Sequence, residues 1–227
     1  EGGANVNQAT TDKGVTPVFI AAAYGHAEMI SLNQAVTDNG VSPVFIAAAY
    51  GHAEVVSLLL GAGTDVNQAP TTDGVTPMYI AAENGDTEMV SLLLGAGADA
   101  NQATTTDGVT PVFVAAAYGH AEVISLLLEE GANVNQATTD KGVTPVFIAA
   151  AYGHAEVVSL LLGAGADVDR ATTDDGTTPV YIAAENGDTE MVSLLLRAGF
   201  DVNQATTDKG ATPVFIAACR GHAEVIS

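Results

Sequence analysis

Five histidines are the residues of this chain best suited to chemistry: His26, His52, His120, His154 and His222, each directly after a glycine. Recurrent imidazoles suggest zinc, which needs ligand nitrogens at about 2.0–2.1 Å. Helices that carried these histidines in a stack would lie roughly 8–10 Å apart, so neighbouring histidines could not share one ion. At two further places the glycine is followed by Asp86 and Asp188. Aspartate is a preferred helix N-cap, and a capping role after the glycine accounts for both residue types. No metal and no cofactor is expected.

Other reactive types fare no better. The serines of the VSLLL segments, such as Ser57 and Ser125, recur without a base at fixed spacing, and there is no Gly-rich phosphate loop or nucleophile elbow. Repeated Asp and Glu residues could pair as acid and base, but a catalytic site needs one asymmetric pocket that drives pKa values apart, and near-identical copies supply only a repeated surface. The chain is expected not to be an enzyme. With 6 Lys and Arg against 27 Asp and Glu, the net charge of -21 repels phosphate backbones and argues against nucleic acid. The same field favours a basic partner. No run approaches the roughly 18 apolar residues that span a bilayer, and the opening EGGANVNQ has no signal-like pattern. The single cysteine, Cys219, allows no internal disulfide. A reducing, intracellular and cytoplasmic setting is therefore expected.

The elements that must position these residues follow from an internal period. Thr-Pro or Ser-Pro recurs at Pro17, Pro43, Pro77, Pro111, Pro145, Pro179 and Pro213, with every interval from Pro43 onward equal to 34 residues. Units run approximately 7–32 (shortened), 33–66, 67–100, 101–134, 135–168, 169–202 and 203–227 (truncated), in a single domain spanning 1–227. In the unit TPVFIAAAYGHAEVVSLLLGAGAD from Thr144, the threonine suits an N-cap and Pro145 the first helical position. A short first helix ends at Gly153. A second opens near His154 with Glu156 in its first turn, and Val157, Val158, Leu160, Leu161 and Leu162 form its apolar face, with Ser159 polar. The stretch VNQATTDKGV, residues 134–143, has the composition of a hairpin tip. Two helices of about eight to ten residues cannot close a core alone, so each unit must stack on its neighbours.

This unit resembles the ankyrin repeat, whose pattern of G-x-TPLHxAA, GHxEVVxLLL and GADVN is matched almost throughout. The resemblance implies a repeat solenoid, mainly α, of β-hairpin, helix-turn-helix and loop units stacked into a curved superhelix. Aromatic residues, among them Phe147 and Tyr181, replace the family's histidine after TPL, and the unit is one residue longer than the usual length of about 33. The resemblance also implies protein binding on a concave face made of hairpin tips and the ends of the first helices. Those ends carry Tyr24, Tyr50, Glu83 with Asn84, Tyr118, Tyr152, Glu185 with Asn186, and Arg220. The tyrosines are suited to hot spots. The residue before the tip glycine varies as Lys13, Asn39, Asp73, Asp107, Lys141, Asp175 and Lys209, and selectivity is expected there.

GDTEMV occurs at Gly85 and again at Gly187, 102 residues on, as if a three-repeat block had been copied. Such uniformity suits the alternative of a structural spacer or spring, or a consensus-like engineered array, with no dedicated partner. Neither end carries a polar capping unit, so a longer array, or end-to-end contact with further repeats or copies, is expected. Between Leu32 and Asn33 the chain lacks the LLGAGADV-like segment of the other units. A true deletion would remove the last turn of a helix, and residues skipped in the numbering are the expected explanation.

Overall fold

The computed structural model describes residues 16–27, 41–69 and 72–226. Lys13, Asn39 and the Leu32–Asn33 junction lie outside them. The chain divides into two compact units, residues 1–106 and 107–227.

In the first unit the helices are α1 (Pro17–Tyr24), α2 (Pro43–Ala49), α3 (Ala53–Gly61), α4 (Pro77–Asn84) and α5 (Thr87–Gly95). In the second they are α6 (Pro111–Tyr118), α7 (Ala121–Glu129), α8 (Pro145–Ala151), α9 (Ala155–Gly163), α10 (Pro179–Asn186), α11 (Thr189–Arg197), α12 (Pro213–Arg220) and α13 (Ala223–Ile226). Each proline-led helix starts as its sequence requires. The Thr144 hydroxyl accepts from the Phe147 amide at 3.3 Å, and Pro145 occupies the first position, where its missing N–H costs nothing. Within each unit the proline-led helices pack on one another in register, as α6, α8 and α10 do, and the leucine-bearing helices form a second layer, as α7, α9 and α11 do.

The core lies between these layers. From α8 it takes Val146, Ala149 and Ala150, and from α9 Val157, Val158 and Leu161. Leu160 and Leu162 are only half-buried, so the sheltered face is narrower than the sequence pattern implies. A short helix walled by its own partner and two neighbours turns the remaining leucines toward the rim.

The hairpins implied by the resemblance are turns: no strand occurs among the described residues. Each tip is closed by few bonds, as where Thr138 N–H donates to Val143 O at 2.9 Å and Gly142 N–H to Thr138 O at 3.1 Å. One main-chain bond joins each tip to the next within a unit: Thr105 to Asp73 O in the first, and Thr139 to Asp107 O, Thr173 to Lys141 O and Thr207 to Asp175 O in the second, all 2.7–2.8 Å. A ladder needs such pairs repeated along two extended strands, and here the chain turns before a second pair can form.

Candidate functional site

The ends of the first helices are held by side chains of the following repeat. His52 Nε2 lies 3.2 Å from Ala23 O, His154 Nε2 3.1 Å from Ala117 O, and His222 Nε2 3.0 Å from Glu185 O. A carbonyl only accepts, so the ring nitrogen carries the proton. This corrects the capping role expected of the histidines: His52, His120 and His154 precede their helices without making a cap bond. The imidazole cannot cap because it points back across the repeat boundary onto the preceding glycine. A Cβ on Gly119 would come within 2.6 Å of the His154 ring. Asp86 and Asp188 do cap, accepting from Met89 N at 3.0 Å and Met191 N at 2.9 Å. In those repeats the backward bond comes from Asn84, whose Nδ2 donates to Ala49 O at 3.3 Å, and from Asn186, whose Nδ2 donates to Ala151 O at 2.9 Å. Asn84 and Asn186, nominated as partner contacts, therefore fasten one repeat to the next.

Tyr24, Tyr50, Tyr118 and Tyr152 are between 58% and 70% exposed. Each ring lies beside the histidine two residues on, with centroids 6.1–6.3 Å apart. His52 and His154, which fasten their repeats, thus also back outward-facing aromatic rings.

In the second unit a groove of about 390 Å³ runs between the tips of three successive repeats and the first helices of two of them. It brings together four of the nominated residues, Lys141, Asp175, Glu185 and Lys209, with Phe147 and Tyr181 among the residues between them. Tyr118, Tyr152, Asn186 and Arg220 do not line it. The Asp175 carboxylate is organised by its own turn: Oδ1 accepts from the Thr177 hydroxyl at 2.6 Å, the Thr172 hydroxyl at 2.8 Å and the Thr177 amide at 3.0 Å. These donors, the Thr177 hydroxyl foremost, hold its pKa below the ordinary 3.8 against a smaller opposing effect of burial. Burial, then the carboxylates of Glu185, Asp208 and Asp175, pushes the Tyr181 phenol above its usual 10.0. Tyr181 is thus a proton donor at any physiological pH. Arg220 donates to Glu185 Oε1 from the next repeat. Phe147 and Tyr181 enter the sequence pattern only as replacements for a family histidine, and their alignment along one groove becomes visible only once repeats are stacked.

A family model described as ankyrin repeats (3 copies) matches residues 2–69, 31–104, 78–172 and 166–227. The chain belongs to the ankyrin repeat family. Among solved structures it is similar to the human ASB11 ankyrin repeat domain, at 27% sequence identity and a TM-score of 0.79, over 93% of this chain and 97% of that one. Comparison with curated proteins yields no match. The ankyrin fold is generally a non-enzymatic protein-interaction module, built here from stacked helix pairs. Among the described residues no group of three or more His, Cys, Asp or Glu is placed to hold a metal ion, and no helix is long and apolar enough to cross a membrane.

Proposed function

We infer that this ankyrin chain binds a protein partner through the face formed by its tips and first-helix ends, centred on the groove of the second unit. Asp175, Tyr181 and Glu185 form the floor of that contact, Lys141 and Lys209 its rims, and the exposed tyrosines an outer margin. The supporting observation is the groove itself, in which three successive repeats converge charged tips on two aromatic rings. The chain's charge of -21 favours a partner with a basic segment. The exposed free thiol of Cys219 accords with an intracellular, reducing location.

Affinity capture with the wild-type chain and with Asp175→Lys and Tyr181→Ala tests the reading, with folding checked by circular dichroism. Loss of a captured protein on either substitution is expected. Its undiminished recovery from both folded variants would defeat the assignment. The uniformity of the repeats, with GDTEMV recurring 102 residues apart, favours a second reading as a spacer without a dedicated partner. On that reading no captured protein depends on groove residues.

A further inference from the structure

The four tips of the second unit alternate in charge along the chain: Asp107, Lys141, Asp175, Lys209. Main-chain bonds of 2.7–2.8 Å join successive tips, so the backbone sets their order and spacing while the side chains carry only the sign. The signs are presented differently. Lys141 and Lys209 are exposed, whereas Asp175 is half-buried and tied by Thr172 and Thr177. Along the groove a half-buried carboxylate therefore sits at the centre, with an ammonium on the rim one repeat away on either side. On the helix wall behind Asp175 stand Tyr181 and Glu185. Glu185 already carries a guanidinium, that of Arg220, which shows the kind of cation this wall accommodates.

Stacked repeats advance by about 10 Å, and a peptide in the extended polyproline II conformation has three residues per turn and rises about 3.1 Å per residue, so side chains three apart face the same way about one repeat apart along the tips. Resting on the reading of the groove as a partner site, we propose that it takes an extended peptide in which one Arg or Lys is flanked three residues away on each side by Asp or Glu. The cation seats on Asp175, Tyr181 and Glu185, and the outer carboxylates meet Lys141 and Lys209. The overall acidity of the chain would by itself favour a uniformly basic ligand. The two rim lysines favour carboxylates at the flanking positions, Lys209 more weakly because Asp208 Oδ2 already lies 3.6 Å from its ammonium, so recognition rests on register and not on net charge.

Three synthetic nine-residue peptides decide this by fluorescence anisotropy: SEASRASEA, its sign-reversed counterpart SRASEASRA, and a scramble of the first. SEASRASEA should bind at least about fivefold more tightly than either of the others, the scale expected when a few partly exposed ion pairs are matched or mismatched. The double variant Lys141→Glu, Lys209→Glu should remove that preference. Arg220→Ala, which withdraws the internal competitor for Glu185, should tighten binding about twofold. Equal binding of the three peptides, preference for SRASEASRA, or no binding of any up to about millimolar concentration would overturn the proposed register. If a peptide binds without that register but weakens with Tyr181→Ala, the groove reading stands. Binding indifferent to both Tyr181→Ala and Asp175→Asn overturns the groove reading as well.

Discussion

In residues 135–168 the first helix runs out at Tyr152 and Gly153, and His154 follows; in residues 169–202 it runs out at Asn186 and Gly187, and Asp188 follows. Both repeats meet the same requirement, a carbonyl left at the end of the preceding first helix. His154 reaches Ala117 O from one side of the glycine, and Asn186 reaches Ala151 O from the other. Where asparagine makes the bond, the residue after the glycine is released to cap its own helix, as Asp188 does. Where histidine makes it, the cap is forgone and the position before the glycine is released for an exposed tyrosine. Tyr with His, and Asn with Asp, therefore change together for a physical reason, and in the last repeat, where His222 makes the bond, the released position is filled by Arg220. One repeat type gains an exposed aromatic ring and the other a better-secured second helix.

The comparison can be broken first at the core, where it predicts no difference. Leu161 and Leu195 are each 0% exposed, so Leu161→Ala and Leu195→Ala should both cost about 2–5 kcal/mol in urea unfolding. A gap between them larger than that range would mean the two repeat types differ in packing and not only at their seams. A sharper contrast lies at the glycines. Gly153 and Gly187 share a left-handed backbone, with φ of 77° and 74°, so alanine strains both by roughly 1–2 kcal/mol. A Cβ at Gly187 would also meet the His222 ring at 2.5 Å, while at Gly153 it finds only Asp188 Oδ2 at 3.5 Å. Gly187→Ala should therefore be the more destabilising of the two, and the reverse order would contradict the seam geometry.

The exchange of partners is tested by a double-mutant cycle. Asn186→Tyr alone should cost about 1 kcal/mol by orphaning Ala151 O, and Asp188→His alone a similar amount through the lost cap. Together they should cost less than their sum, by about 0.5 kcal/mol or more, because the new histidine inherits the backward bond. Strict additivity would show that the residues change together for some other reason.

A smaller effect concerns acid. Asp175 has a depressed folded-state pKa, so its contribution to stability is present above the ordinary 3.8 and is lost as pH falls below that value. Thr177→Val should raise the Asp175 carboxyl titration midpoint seen by carbon-13 NMR, with little change in stability at pH 7 because the half-buried group remains partly screened by solvent. An unmoved midpoint would mean the Thr177 hydroxyl is not its main partner. Least of all, Ser159→Ala should fall within about 0.5 kcal/mol of wild type, since this exposed hydroxyl only donates back to Ala155 O within its own helix.

The helices were legible in the sequence because their signals are local. Thr144 and Pro145 open a helix three residues from the amide they serve, and Gly153 closes it by its own backbone freedom. The role of His154 was not legible, because its partner Ala117 lies 37 residues back, and nothing in the local pattern separates a cap from a fastener. The same distance hides Asn186, which reads as a surface residue and acts on Ala151, 35 residues earlier. The groove was half legible. The variable tips at Lys141, Asp175 and Lys209 drew attention by differing between copies, while Phe147 and Tyr181 passed as filling because their common wall exists only between repeats.

The bond from each fingertip to the next runs from main chain to main chain, and this has a bearing on how such a surface changes. No side chain at Asp107, Lys141 or Asp175 makes the bond to the neighbouring tip, so a codon altered there changes the side chain on display while leaving that bond in place. Copying a block of repeats followed by drift at one letter per copy is then enough to produce a new sequence of charges along the tips.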